Sequence, residues 1–167
     1  QRVSLGEGET PRIRSRHIGP SAGLTNLYFK LETSNPSGSY KDRFASAAVT
    51  DMLAAGKRRC IATSSGNTGS ALATYCAAAG ITCEIAIVET APAGKLQQMM
   101  AYGAKIYKVR GFGMFVQVTA EVMNQLRLKS MSPDAALQIS AFCCSPVGMA
   151  GVKTISYELA EQVGVML

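Results

Sequence analysis

The sequence predicts an α/β protein: a parallel sheet with helices on both faces, built from repeated βα units. Three observations lead there. Short, almost unbroken apolar runs recur along the chain, a longer amphipathic stretch follows each one, and a glycine closes most of those stretches. Runs of this kind read as strands buried on both faces, and their alternation with helical patterns reads as parallel crossovers.

The elements follow in order. NLYFKLE (26–32) reads as a first strand, and the turn NPSG leads from it into a helix over about 40–55. Ser39 and Asp42 stand at the spacing of a capping box, with Asp42 where Glu is commoner. Gly56 closes that helix as a left-handed terminator. CIATS (60–64) is the next strand, SSGNTG (64–69) its turn, and Thr68–Ala79 a helix closed by Gly80. CEIAIV (83–88) precedes a helix over about 93–102, closed by Gly103. KIYKV (105–109) precedes a helix over about 114–129. ALQISA (136–141) precedes a final helix over about 149–163, stopped by Gly164. No internal repeat, low-complexity tract or clear linker interrupts the pattern, so residues 1–167 read as a single α/β region.

Ligands of such sheets lie beyond the carboxyl ends of the strands, where loops enter helix N-termini. Two loops are placed on that rim. In SSGNTG, Ser64, Ser65 and Thr68 offer hydroxyls and Asn67 an amide, while Gly66 and Gly69 allow close approach of the backbone. With the following helix N-terminus they can cradle a carboxylate or phosphate. The pattern lacks the lysine of a Walker loop and the spacing of the dinucleotide fingerprint, and an ordinary capped βα turn reads the same way.

The second loop is NPSGSYKDR (35–43), which places Lys41 in the first turn of its helix. A surface lysine reaching for water is the generic reading. The chemical reading uses the awkward position: a positive helix end and partial burial both disfavour an ammonium and favour a free amine. A free lysine amine forms a Schiff base with a carbonyl cofactor, and beside an anion cradle the natural one is pyridoxal phosphate.

Composition bounds the rest. The chain has 47% apolar and 17% charged residues with a formal net charge of +6, a soluble globular balance. No window is apolar enough to span a membrane, and the first twenty residues carry no apolar core of a secretory signal. A chain that does not begin with Met is expected to be processed or partial. The basic stretches, Arg12, Arg14 and Arg16 beside His17 and then Lys57-Arg58-Arg59, lack the interleaved aromatics that nucleic acid would want. They read as solvated faces. The five cysteines, Cys60, Cys76, Cys83, Cys143 and Cys144, show no metal-ligand spacing and read as reduced thiols of a cytoplasmic protein. No metal site is expected.

Five pieces in order resemble the fold-type-II pyridoxal-phosphate enzymes, most closely their threonine synthase branch. They are LGEGETP (5–11), SGSYKDR (37–43), TSSGNTGSALA (63–73), KLQQMMAYGA (95–104) and GVKTISYEL (151–159). The resemblance implies pyridoxal 5'-phosphate as cofactor, with Lys41 as the Schiff-base lysine and proton shuttle. It implies that Asn67 bonds the cofactor's ring hydroxyl, and that Ser64, Ser65, Gly66, Asn67 and Thr68 hold a small amino-acid substrate by its carboxylate. Ser39, Asp42 and Arg43 would support the lysine loop, and Tyr40 stands where Phe is usual. The implied reaction is lyase or β-replacement chemistry, most like the conversion of O-phosphohomoserine to threonine. Cysteate synthase, serine/threonine dehydratase and cysteine synthase chemistry are the alternatives, with a catalytically silent cofactor- or anion-binding fragment as another. Two departures stand out. Ser145 and Gly148 occupy the places of the branch's Asn and Arg, and its glycine loop for the cofactor phosphate comes later than Leu167. The resemblance therefore implies the N-terminal half of a two-domain enzyme, for which a homodimer is one expected assembly.

Overall fold

The computed structural model describes residues 2–164. Its centre is a four-stranded sheet of order β5-β4-β3-β6, in which every neighbouring pair is parallel. The strands are β3 (Arg59–Thr63), β4 (Thr82–Val88), β5 (Lys105–Val109) and β6 (Ala135–Gln138). Helices α2 (Lys41–Ala54), α3 (Asn67–Ala79), α4 (Ala93–Ala101) and α5 (Val116–Ser130) connect or flank them, and α6 (Pro146–Val152) and α7 (Thr154–Val163) follow β6. The pleat sends alternate side chains to opposite faces. Cys60, Ala62, Cys83, Ile85 and Ile87 meet α2 and α3 on one face. Ile61 and Ala86 meet Leu126 of α5 on the other. The predicted architecture is the observed one. Among the described residues no helix is long and apolar enough to cross a membrane.

The first predicted strand belongs elsewhere. Only Tyr28–Lys30 is extended (β2), and it pairs antiparallel with β1 (Arg12–Arg14), Ile13 opposite Phe29. This ribbon stands apart from the parallel sheet, and a four-residue helix, α1 (Ile18–Ser21), lies between its strands. Three-residue strands are too short for a periodicity to reveal them. The final helix is also divided. Pro146 opens α6 at a position where its missing N–H costs nothing, and Lys153 separates it from α7. There Thr154 Oγ1 donates to Gly151 O at 2.9 Å, competing with helix continuation. The helix-closing glycines hold: Gly56, Gly80, Gly103 and Gly164 all have positive φ.

Asp42 does not complete a capping box with Ser39. Its carboxylate turns back to Ser37, accepting from the backbone N at 2.7 Å and from Oγ at 2.5 Å. It is fully buried. Burial pushes its carboxyl upward, against the two Ser37 bonds and with help from nearby Glu7 and Glu32.

Helix α2 lies between α3 and α6 and carries a buried guanidinium. Arg43 donates to Glu32 through Nε and Nη2, each at 2.9 Å, and to both carboxylate oxygens of Glu158 on α7. Thr154 accepts a further bond from it at 3.0 Å, and Lys30 of β2 pairs with Glu158 at 2.6 Å. Backbone N–H of Glu9 also donates to Glu158. Close packing on the same side needs bare glycines. A Cβ at Gly151 would lie 2.4 Å from Arg43 O and 2.7 Å from Ala47 Cβ; one at Gly148 would lie 2.6 Å from the Phe44 ring.

Two expectations follow. Gly151→Ala forces α6 off α2 and lowers stability by about 2 kcal/mol, read as a lower urea midpoint at unchanged slope. The bond to Arg43, with Lys30 behind it and burial opposing, holds the Glu158 carboxyl at about 2 against an ordinary 4.5. A depressed carboxyl contributes stability above its unfolded value and loses it as pH falls toward the folded one. Wild-type stability therefore declines between about pH 4.5 and 2. Glu158→Gln is expected to cost about 3 kcal/mol at pH 7 and to flatten part of that acid slope. An unchanged slope in Glu158→Gln would show that other carboxylates govern acid unfolding.

Candidate active site

The turn before Lys41 is set by its own residues. Gly38 N donates to Asn35 O at 2.8 Å, with Pro36 at the second turn position and Gly38 at φ 85°. Besides Asp42, Gln98 of α4 holds Ser37, donating to its carbonyl at 3.1 Å. Lys41 itself is half-buried and forms no ion pair among the described residues. Its Nζ lies 4.6 Å from the Tyr40 ring centroid and donates to Ser140 Oγ at 2.8 Å.

Ser140 lies two residues beyond β6, at its carboxyl end. Because Ala62 of β3 pairs with Gln138 of β6, the residues that follow each strand emerge side by side on one rim. From β3 that brings Ser64, Ser65 and Gly66, and then α3. Lys41 thus reaches the predicted rim by way of α2, although no strand of the sheet precedes it. Ser140 was not singled out from the sequence; it was hidden as the tail of an expected strand. The rule that ligands gather at carboxyl strand ends was the signal that could have found it.

The second loop is partly committed to itself. Ser64 Oγ accepts from Gly66 N at 3.3 Å, and Ser65 Oγ accepts from Val88 N at 3.2 Å, tying the loop to the end of β4. Asn67 is exposed and Thr68 buried. Gly66 caps α3 without a side chain, so the first N–H groups of the helix have no side-chain cap. A Cβ at Gly66 would meet nothing within 4 Å, which leaves room for a ligand against the backbone. Gly69 has another job: a Cβ there would sit 2.7 Å from both Ser64 O and Met99 Sδ. Its bareness serves packing, a correction to its expected role in ligand approach.

Ser145 and Gly148 stand at the start of α6. Ser145 is buried and its hydroxyl donates to Gln138 Oε1, while Gly148 faces the Phe44 ring. A cleft of about 700 Å³ opens on the far side of α2, lined by residues including Glu7, Arg43, Ser46, Gly151 and Glu158. Arg43 and Glu158 are committed to each other there, whereas the Lys41 rim presents an unpaired cation and uncapped helix donors.

Known proteins resemble this chain along nearly its whole length. The pattern describing "Pyridoxal-phosphate dependent enzyme" matches residues 3–167. Threonine synthase of Mycobacterium leprae is 37% identical over 164 residues, which cover 97% of this chain and 43% of that protein. The chain thus spans under half the length of this curated relative. Among solved structures, O-ureido-L-serine synthase superposes with a TM-score of 0.77 at 26% identity, covering 96% of this chain and 50% of that one. A pyridoxal 5'-phosphate-dependent aspartate racemase superposes with a TM-score of 0.76 at 29% identity, covering 92% and 46%. With a matched pattern over nearly its whole length, a parallel sheet and a lysine at the carboxyl rim, this chain belongs to the pyridoxal-phosphate dependent enzymes.

Proposed function

We propose that residues 1–167 form the lysine-bearing N-terminal half of a two-domain enzyme performing lyase or β-replacement chemistry on a small amino acid. Conversion of O-phosphohomoserine to threonine and phosphate is the nearest reaction. The observation that carries the reading is Lys41 Nζ on Ser140 Oγ, one strand across from the uncapped start of α3. The residues fit pyridoxal phosphate: among the described residues the amine has no carboxylate partner, and the space beside Gly66 is open. Lys41 would hold the cofactor, and Asn67 would bond its ring hydroxyl. When bound, the pyridoxal group supplies an electron sink for charge developing at the substrate's α-carbon.

The remaining work belongs to the chain. Ser64, Ser65 and Thr68 hydroxyls with the first N–H groups of α3 would orient the substrate carboxylate, where the helix dipole favours an anion. Lys41 Nζ would carry a proton between the α and β carbons, and Ser140 would aim it. Asp42 and Gln98 keep the loop from shifting, through Ser37. The threonine synthase relative supports this reading by its identity across the chain.

A second reading rests on one observation. The branch's Asn and Arg are Ser145 and Gly148 here, and Gly148 has no room for a Cβ beside Phe44. A site without that guanidinium fork is weaker for a phosphorylated substrate, which favours a smaller leaving group, as in cysteine synthase, cysteate synthase or dehydratase reactions.

Protein containing residues 1–167, mixed with pyridoxal phosphate, should develop an absorbance band near the visible edge, and borohydride should fix the cofactor on Lys41. Lys41→Ala should abolish both and lower turnover by about 10³-fold or more. A band that survives in Lys41→Ala would overturn the assignment. Phosphate release from O-phosphohomoserine, with none from O-phosphoserine and no ammonia from serine or threonine, would select the first reaction; release from the others would select the second.

A further inference from the structure

Shortly beyond Ser140, on the loop that carries β6 into α6, two thiols stand side by side. Cys143 is exposed and Cys144 half-buried, and their sulfurs lie 3.4 Å apart. The loop holds them there. Backbone N–H of Cys144 donates to Ala141 O at 3.0 Å, and that of Ser145 donates to the same carbonyl at 2.9 Å. The chain is anchored on either side of this turn: Ser140 receives Lys41, and the buried Ser145 hydroxyl donates to Gln138. The proposed reaction uses neither thiol.

We propose that Cys143 and Cys144 form a chelating site for a trivalent arsenical, held by both sulfurs. Geometry separates this ligand from the other fates of a thiol pair. Bridging to each other is disfavoured, because successive Cα atoms are about 3.8 Å apart and a disulfide spans about 4.4–6.8 Å. Tetrahedral zinc needs further ligands, and among the described residues no His, Asp, Glu or third Cys gathers with this pair. A linear two-coordinate ion, with bonds of about 2.3 Å, would hold the sulfurs about 4.6 Å apart. A pyramidal centre whose bonds of that length meet near a right angle needs only about 3.3 Å. The observed 3.4 Å matches the pyramidal centre. Trivalent arsenic, with three bonds and a lone pair, is such a centre, and soft sulfur suits it.

The exchange balances without a change of charge or oxidation state. An arsonous acid, R–As(OH)2, meets two S–H groups. Two As–S bonds form, two As–O bonds break, and each thiol proton leaves with a hydroxyl as water. Arsenic stays trivalent and the product is neutral, so half-buried Cys144 acquires no charge. Once one sulfur is bonded the second bond is intramolecular, and a pair already at the required spacing forms it with little reordering. The bound group then sits on the loop that presents Ser140 to Lys41. Cys60, Cys76 and Cys83 are the competing thiols, but they are buried and meet an arsenical only when the core opens.

Reduced protein containing residues 1–167, free of pyridoxal phosphate, is incubated with phenylarsonous acid (hydrated phenylarsine oxide), and its intact mass is measured. One phenylarsenic group per chain should add, with two waters lost. A large excess of 2-mercaptoethanol should leave it in place, whereas 1,2-ethanedithiol should remove it. Cys143→Ser and Cys144→Ser, each with native circular dichroism, should bind about 10²-fold more weakly or worse. Should either fail to fold, tryptic mapping of the unaltered protein decides: the group should lie on the fragment Ser130–Lys153, which holds both thiols and no other cysteine. No adduct, release by 2-mercaptoethanol, undiminished affinity in both serine variants, or placement on the fragment that holds Cys60, Cys76 and Cys83 would each overturn the proposal. With no cofactor present, none of these outcomes depends on the assignment of Lys41.

Discussion

A single buried guanidinium organises this chain. Arg43 leaves water almost completely, and such a charge is tolerable only when every donor has an anionic or polar acceptor. Glu32 supplies one side, Glu158 the other, and Thr154 the remainder. Those partners come from a 3-10 turn ahead of α2 and from α7. Meeting them fixes α2 in rotation and height, and Lys41 sits two residues earlier on the same helix. The aim of the amine is thus decided by an ion cluster in which Lys41 itself takes no part.

Several resembling pieces of sequence then acquire separate duties. LGEGETP contributes Thr10, whose hydroxyl donates to Glu32, and Glu7, which accepts from the Tyr75 hydroxyl. GVKTISYEL contributes Gly151, Thr154 and Glu158 to the seat of α2. These motifs lie near opposite ends of the chain and both act on the scaffold. SGSYKDR and TSSGNTGSALA form the rim itself, and KLQQMMAYGA reaches it through Gln98. A motif can be invariant in purpose without touching a ligand.

The four sheet strands and their helices were readable because each is long enough to show its period, and most of the helices are stopped by a glycine that adopts positive φ. What escaped was decided by distance. Nothing in YFK says that it will pair with RIR rather than join the sheet. Arg43 shows a charge beside a lysine but not Glu158, which stands 115 residues away. Ser140 looks like strand, and Gly69 looks like a ligand loop, until register and Met99 assign their places. The meeting of Cys60, Cys76 and Cys83 in the core has no linear signature, because two strands and a helix each supply one sulfur. Lys41 was legible because its oddity is local, a cation at the positive end of a helix.

The bare contact of α6 on α2 has a consequence for the order in which the chain is made. On a ribosome, α2 emerges when Gly148, Gly151 and Glu158 are still untranslated. Until roughly the last tenth of these residues appears, the Arg43 guanidinium keeps its water and Phe44 lacks the backbone that covers it. Contacts of such separation close slowly, because loop-closure entropy is met before they form. Lys41 is written early but aimed late, so a nascent chain cut short before α7 would carry the amine without the geometry that directs it.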